Sequence, residues 1–156
     1  MKQVSTLFLK GVILVITLLV LAFCLIALPT AIRGELTGDF DYAPLLFGLY
    51  LPAFPFLFAL FQAFKLLGNI DNNIAFSENS IKSIKYIKYS SLLISALFTA
   101  GMPYIFYLAQ LDDAPGVAAI GFIIIGASFV VAVFAAVLQK LIQTGLALKS
   151  ENDLTV

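Results

Sequence analysis

The residues that could do chemistry in this chain are few, and their spacing argues against catalysis. Of 156 residues one is cysteine, Cys24, and none is histidine. An internal disulfide, a redox pair of cysteines and a Cys/His zinc site are therefore all ruled out. The adjacent carboxylates Asp112 and Asp113 of DDAPG invite an acid/base or metal reading. Consecutive residues do not share a helical face, however, no imidazole assists, and Pro115-Gly116 follows at once. The stretch instead predicts a tight turn, with an aspartate near the N-cap of the next helix. Asp71, Glu78 and nearby lysines are the remaining material for a polar active site, and they match no catalytic signature. We expect no enzymatic activity, no cofactor and no metal.

One cationic grouping stands out. In SIKSIKYIKYSSLLISALF, Lys82, Lys85 and Lys88 recur at every third position just before a long apolar run, with Tyr86 and Tyr89 beside them. Steps of three drift by about 60° on a helix of 3.6 residues per turn, so the lysines and the isoleucines Ile81, Ile84 and Ile87 form two spiralling stripes. Such a helix suits the headgroup layer, where each lysine gains about 1 kcal/mol from anionic lipid. The same stretch can serve as a docking ledge, together with Lys149, Glu151 and Asp153 near the C-terminus. Ser77 is a good N-cap and Glu78 suits the positive end of the helix, so the helix is expected to start before the membrane and run on into it.

The elements that hold these residues follow from composition. Hydrophobic residues make up 62% of the chain and charged ones 12%, too few to build a water-facing surface. Four apolar runs are long enough, at roughly 20 residues, to cross a bilayer as helices. The expected fold is an all-α integral membrane four-helix bundle, a single domain over 1–156 with spans at about 7–28, 45–67, 91–111 and 117–138 and a cytoplasmic helical extension over about 77–90. LAFC, Leu21 to Cys24, has the bulky Phe23 where a lipobox needs a small residue, and Leu28-Pro29-Thr30 is no small-x-small site, so the first span is expected to stay uncleaved.

Lysines fix the orientation. With the N-terminus inside, the inner segments hold Lys2, Lys10, Lys65, Lys82, Lys85, Lys88, Lys140 and Lys149, and the outer loops hold only Arg33. The outer loops are acidic, with Glu35, Asp39, Asp41, Asp112 and Asp113. Positively charged short loops stay in the cytoplasm, which places both termini there. The zero net charge removes direct nucleic-acid binding as a default.

No ionisable group is expected at mid-depth, where each costs about 2.5–3.5 kcal/mol. Pro52, Pro55 and Pro103 should kink the second and third spans. Ser91, Ser95 and Thr99, and on the fourth span Ser128, Ala132 and Ala136, repeat at four-residue spacing. Small residues let helices approach closely in lipid, so these faces are expected to pack together or to form the seam of a homo-oligomer. Hydroxyls near Thr99 are expected to satisfy its carbonyl, which Pro103 leaves without a donor.

Three stretches carry a family resemblance: FALFQAFKLLGNIDNNIAFSENSIKSIKYIKY, DDAPG, and AVLQKLI with the closing KSENDLTV. Together they resemble a family of small bacterial membrane proteins known as domain of unknown function 2975, over nearly the whole chain. The resemblance implies a four-span protein of the bacterial plasma membrane with no assigned activity. It also implies a frequent genomic neighbour, a small cytoplasmic helix-turn-helix regulator of the phage-repressor type. The expected function is non-enzymatic interaction with such a cytosolic partner. The alternative is a small transporter or an immunity-type accessory subunit, disfavoured for proton-coupled export because the first span offers only Thr17 at depth.

Overall fold

The computed structural model describes residues 2–38 and 42–154. Asp39 and Asp41, counted above among the outer acidic residues, lie outside them. The described residues are helical throughout, apart from short connections. The chain forms α1 (Lys2–Ala22), a π-turn (Phe23–Ala27), α2 (Leu28–Leu36), α3 (Ala43–Gly48), α4 (Tyr50–Asp71), α5 (Glu78–Leu111) and α6 (Pro115–Leu154). These make four helical stretches long and apolar enough to cross a membrane: Val4–Leu36, Ala43–Asp71, Glu78–Leu111 and Pro115–Leu154.

The helix of the first span runs on past 28, through Pro29 to Leu36, and the reason is local. Proline lacks the N–H that would bond the carbonyl four residues back, and its ring crowds that carbonyl. The helix widens by one residue instead, so that the Leu28 N–H donates to the Phe23 carbonyl and α2 continues to Leu36. In this wider register the Cys24 carbonyl faces Pro29 and has no backbone donor. The Tyr50 hydroxyl supplies one at 2.9 Å, tying the π-turn to the start of α4. Tyr50→Phe keeps the ring and deletes that donor. It is expected to destabilise the protein by about 1–2 kcal/mol in detergent unfolding, with unchanged helical content.

Proline also explains the break in the second span. Pro52 cannot donate to the Gly48 carbonyl, and the helix is interrupted at Leu49, between α3 and α4. Pro55 and Pro103, by contrast, sit inside unbroken helices.

Both turns flanking α5 close in the same way. Asn73 and Asp113 adopt left-handed backbone (φ 60° and 47°). After α4, Asn73 N–H donates to Ile70 and Ile74 N–H to Asn69; after α5, Asp113 N–H donates to Gln110 and Ala114 N–H to Ala109. These are Schellman caps, completed by the two non-glycine residue types that best tolerate this conformation. DDAPG is thus the expected tight turn, with Asp113 ending α5 rather than capping α6.

Packing follows chain order. α5 and α6 share the most extensive contact, α4 and α5 the next, and α1 and α4 the least of the three. Among the described residues no extensive contact closes the first span onto the fourth, so the four helices of the expected all-α fold lie side by side as a row. Of the two inner spans, the third has 33% of its apolar window buried and the second only 6%.

The α5–α6 seam uses small residues, with a register different from the expected one. On α6 the buried positions are Ala118, Gly121, Ala132 and Ala135, with Ser128 half-buried. Ser91 and Ser95 are buried on α5, and the Ser95 hydroxyl donates to the Ile125 carbonyl at 3.4 Å. Thr99 and Ala136, expected in the seam, are exposed. A step of four residues overshoots a turn by about 40°, so a strict four-residue series drifts off the interface, whereas alternating steps of three and four stay on it. The Thr99 hydroxyl turns back to the Ser95 carbonyl at 2.7 Å.

Candidate functional site

Two levels of polar residues bracket the row. At one end are Lys10, Lys65, Lys88 and Lys140; at the other are Arg33, Tyr42 and Asp112. The apolar stretches between them run about 22–26 residues, or about 33–39 Å of helix, enough for the hydrocarbon layer and part of the interface. The acidic end is tied together by Tyr42, whose hydroxyl donates to the Asp112 carboxylate and whose N–H donates to Glu35 at 3.1 Å.

The lysine-rich end is more elaborate. α5 begins ten residues, or about 15 Å, before Lys88, and α6 runs fourteen residues, or about 21 Å, past Lys140. The helical continuation of α6 to Leu154 extends well beyond the expected end of the fourth span at 138. No proline interrupts KLIQTGLALKSENDL, so the helix has no local reason to stop at the membrane.

Between these projections lies the turn 72–77. Ser77 caps α5 as expected, accepting from the Ser80 N–H at 3.3 Å. Ser80 is fully buried; its hydroxyl accepts from the Asn69 amide at 3.2 Å and donates to the Ile74 carbonyl at 3.3 Å. That one hydroxyl therefore joins the end of α4, the turn and the start of α5. Phe76 then seats its ring directly on the backbone of Gly145 in α6: a Cβ built at 145 would lie 2.5 Å from the ring. A cavity of about 290 Å³ opens beside it, lined by Asn73, Ala75, Phe76, Gly145 and Lys149.

The charged residues expected on this ledge divide into two groups. Lys82, Lys85, Lys149, Glu151 and Asp153 are exposed. Lys88 is drawn inward, where its ammonium donates to Gln139 Oε1 at 2.9 Å and lies 5.0 Å from the Tyr89 ring centre. It serves the α5–α6 contact rather than the open surface. Tyr89 is exposed, and Tyr86 meets Phe58 of α4 edge-on at 5.4 Å between centroids while staying half-exposed. Ile81 and Ile84 are buried beneath the lysines. The segment 72–90 and the far end of α6 thus form one surface, joined at Phe76 and Gly145.

Sequence reading missed a second polar cluster at this end. Asp71, the last residue of α4, accepts from Lys10 at 2.7 Å and from the Thr6 hydroxyl, both on α1. The Lys10 ammonium also stands 5.5 Å from the Phe64 ring centre. The contact spans 61 residues, and local spacing carries no sign of it. Among the described residues no three acidic, histidine or cysteine side chains come together as a metal site would need.

Residues 3–156 match the family described as protein of unknown function (DUF2975). The chain belongs to this family. It is also 48% identical over 160 residues, covering both chains completely, to an uncharacterized membrane protein, YoaS, of Bacillus subtilis (strain 168). No solved structure matches the chain. Family membership agrees with the resemblance carried by the 58–89 stretch, which contains Asp71, Phe76, Ser80 and the lysines described above. This is a multi-pass membrane protein from a bacterial family of unknown function.

Proposed function

We propose that the chain is a non-enzymatic protein of the bacterial plasma membrane, with both termini in the cytoplasm, whose lysine-rich end is a docking platform for a cytosolic protein. The helix-turn-helix regulator suggested by the family resemblance is the partner class it would serve. The orientation is supported by Lys10, Lys65, Lys82, Lys85, Lys88, Lys140 and Lys149 lying toward one end and Arg33 toward the other.

The observation that carries the proposal is the seat of Phe76 on Gly145. It fixes the turn 72–77 against a helix that projects about 21 Å beyond the lysine level, past the hydrocarbon layer. Phe76 on the turn and Leu141 and Leu148 on α6 remain more than half exposed, and the charged Lys82, Lys85 and Lys149 at this end are exposed too. Exposed apolar side chains on a surface that also carries exposed charges suit a protein partner.

The test is binding of a small cytosolic helix-turn-helix regulator to the chain in nanodiscs. Wild type should retain it, and Phe76→Ala combined with Lys82→Gln and Lys85→Gln should weaken binding at least tenfold. Equal retention by empty nanodiscs, or by the triple variant, would overturn the proposal.

A further inference from the structure

We infer that the cleft between α3–α4 and α5 holds one acyl chain of a phospholipid from the leaflet at the acidic end. The cleft has a volume of about 390 Å³ and runs from Pro44 and Tyr104 toward Pro52 and Leu97. Eight residues of helix along one wall make it about 12 Å long. Apart from the Tyr104 phenol its lining is wholly apolar, with no ionisable carboxylate, lysine or arginine. It lies inside the apolar span, where the surrounding medium is hydrocarbon.

Its origin is written in the sequence. Pro52 breaks the second helix at Leu49, and Gly48 and Gly101 leave one position in each wall without a side chain. A Cβ built at either glycine meets nothing within 4 Å, so the space is unclaimed by the chain itself. Pro44, Gly48, Leu51 and Ala100 on its rim are exposed, leaving it open sideways to lipid.

Size decides the occupant. A 12 Å length of helix, at 10–12 Å across, fills on the order of 1,000 Å³ and does not enter. Water finds too few polar partners in such a lining, since even a 150 Å³ apolar cavity stays dry and takes up benzene. A single hydrocarbon chain is narrow enough, matches the lining, and is the species present at that depth. This inference does not depend on which end faces the cytosol or on the docking platform.

Native mass spectrometry of the full chain, released from phospholipid nanodiscs into mild detergent, tests it. Wild type should retain one phospholipid. Gly48→Leu and Gly101→Leu should reduce that retention at least tenfold, because leucine fills the cleft. Gly126→Leu, on exposed and open α6 backbone, should not. All three replacements raise helix propensity, and each is checked for unchanged helical content and melting. A phospholipid with a photoreactive group near its chain end should label the segments 44–52 and 97–105. Labelling spread evenly over the four spans, retention unaffected by Gly101→Leu, or crosslinks to a second copy at this cleft would each overturn the assignment, as would retention of detergent alone.

Discussion

Replacing Asp71 with alanine is expected to loosen the first span from the second and to give the largest stability loss of any single polar substitution in this protein. Asp71 accepts from both Lys10 and Thr6, and α1 meets α4 through the least extensive of the three helix–helix contacts in the row. Breaking a fully buried ion pair by removing one partner costs about 3–5 kcal/mol. The Lys10 and Asp71 side chains keep 22% and 24% exposure, and the lysine can extend toward water, which lowers the expected cost to about 1.5–3 kcal/mol. Unfolding in micelles measures it. The double variant Asp71→Ala with Lys10→Leu should recover part of the loss, because no unpaired charge is then left against Phe64. A loss below 0.5 kcal/mol for Asp71→Ala would show that the cluster does not hold α1 in place.

The second large effect is expected at Gly145 and is one of geometry rather than global stability. Even a Cβ at this position would come within 2.5 Å of the Phe76 ring, so Gly145→Leu must expel the ring from its seat. The spans themselves lie away from the substitution, and leucine favours helix over glycine by roughly 0.8–1 kcal/mol, so the melting transition should stay within about 1 kcal/mol of wild type. The turn 72–77 should become sensitive to protease, and binding of a cytosolic partner should fall at least tenfold. Phe76→Ala should give the same binding loss without a clash, which separates loss of the seat from damage to α6. Protease resistance equal to wild type would mean that the turn is held by Ser80 alone.

The sequence discloses some of these features and hides others for physical reasons. Long apolar runs declare the four spans, and Ser77 followed by Glu78 declares the start of α5, since both signals are local. The course of the first span through Pro29 was hidden because a π-turn and a distant hydroxyl from Tyr50 repair what proline removes. The pairing of Lys10 with Asp71 was hidden because it depends on two helices meeting 61 residues apart in sequence. Lys88 looked like its exposed neighbours Lys82 and Lys85, and only the arrival of Gln139 from α6 turns it inward. Thr99 and Ala136 fall outside the α5–α6 seam because a strict four-residue step drifts off a straight contact. Gly145 gave no signal at all, because a glycine inside a helix shows its purpose only when its neighbour is known.

Cysteine accessibility in intact cells tests the four-span, lysine-inside arrangement most directly. With Cys24 replaced by alanine, single cysteines are placed at the exposed positions Gly38 and Gly116 toward the acidic end and Asn79 and Ser150 toward the lysine-rich end. A membrane-impermeant maleimide should label 38 and 116 in whole cells, and 79 and 150 only after the membrane is opened. Labelling of 79 or 150 in whole cells, with 38 and 116 protected, would contradict the arrangement and remove the cytoplasmic platform with it.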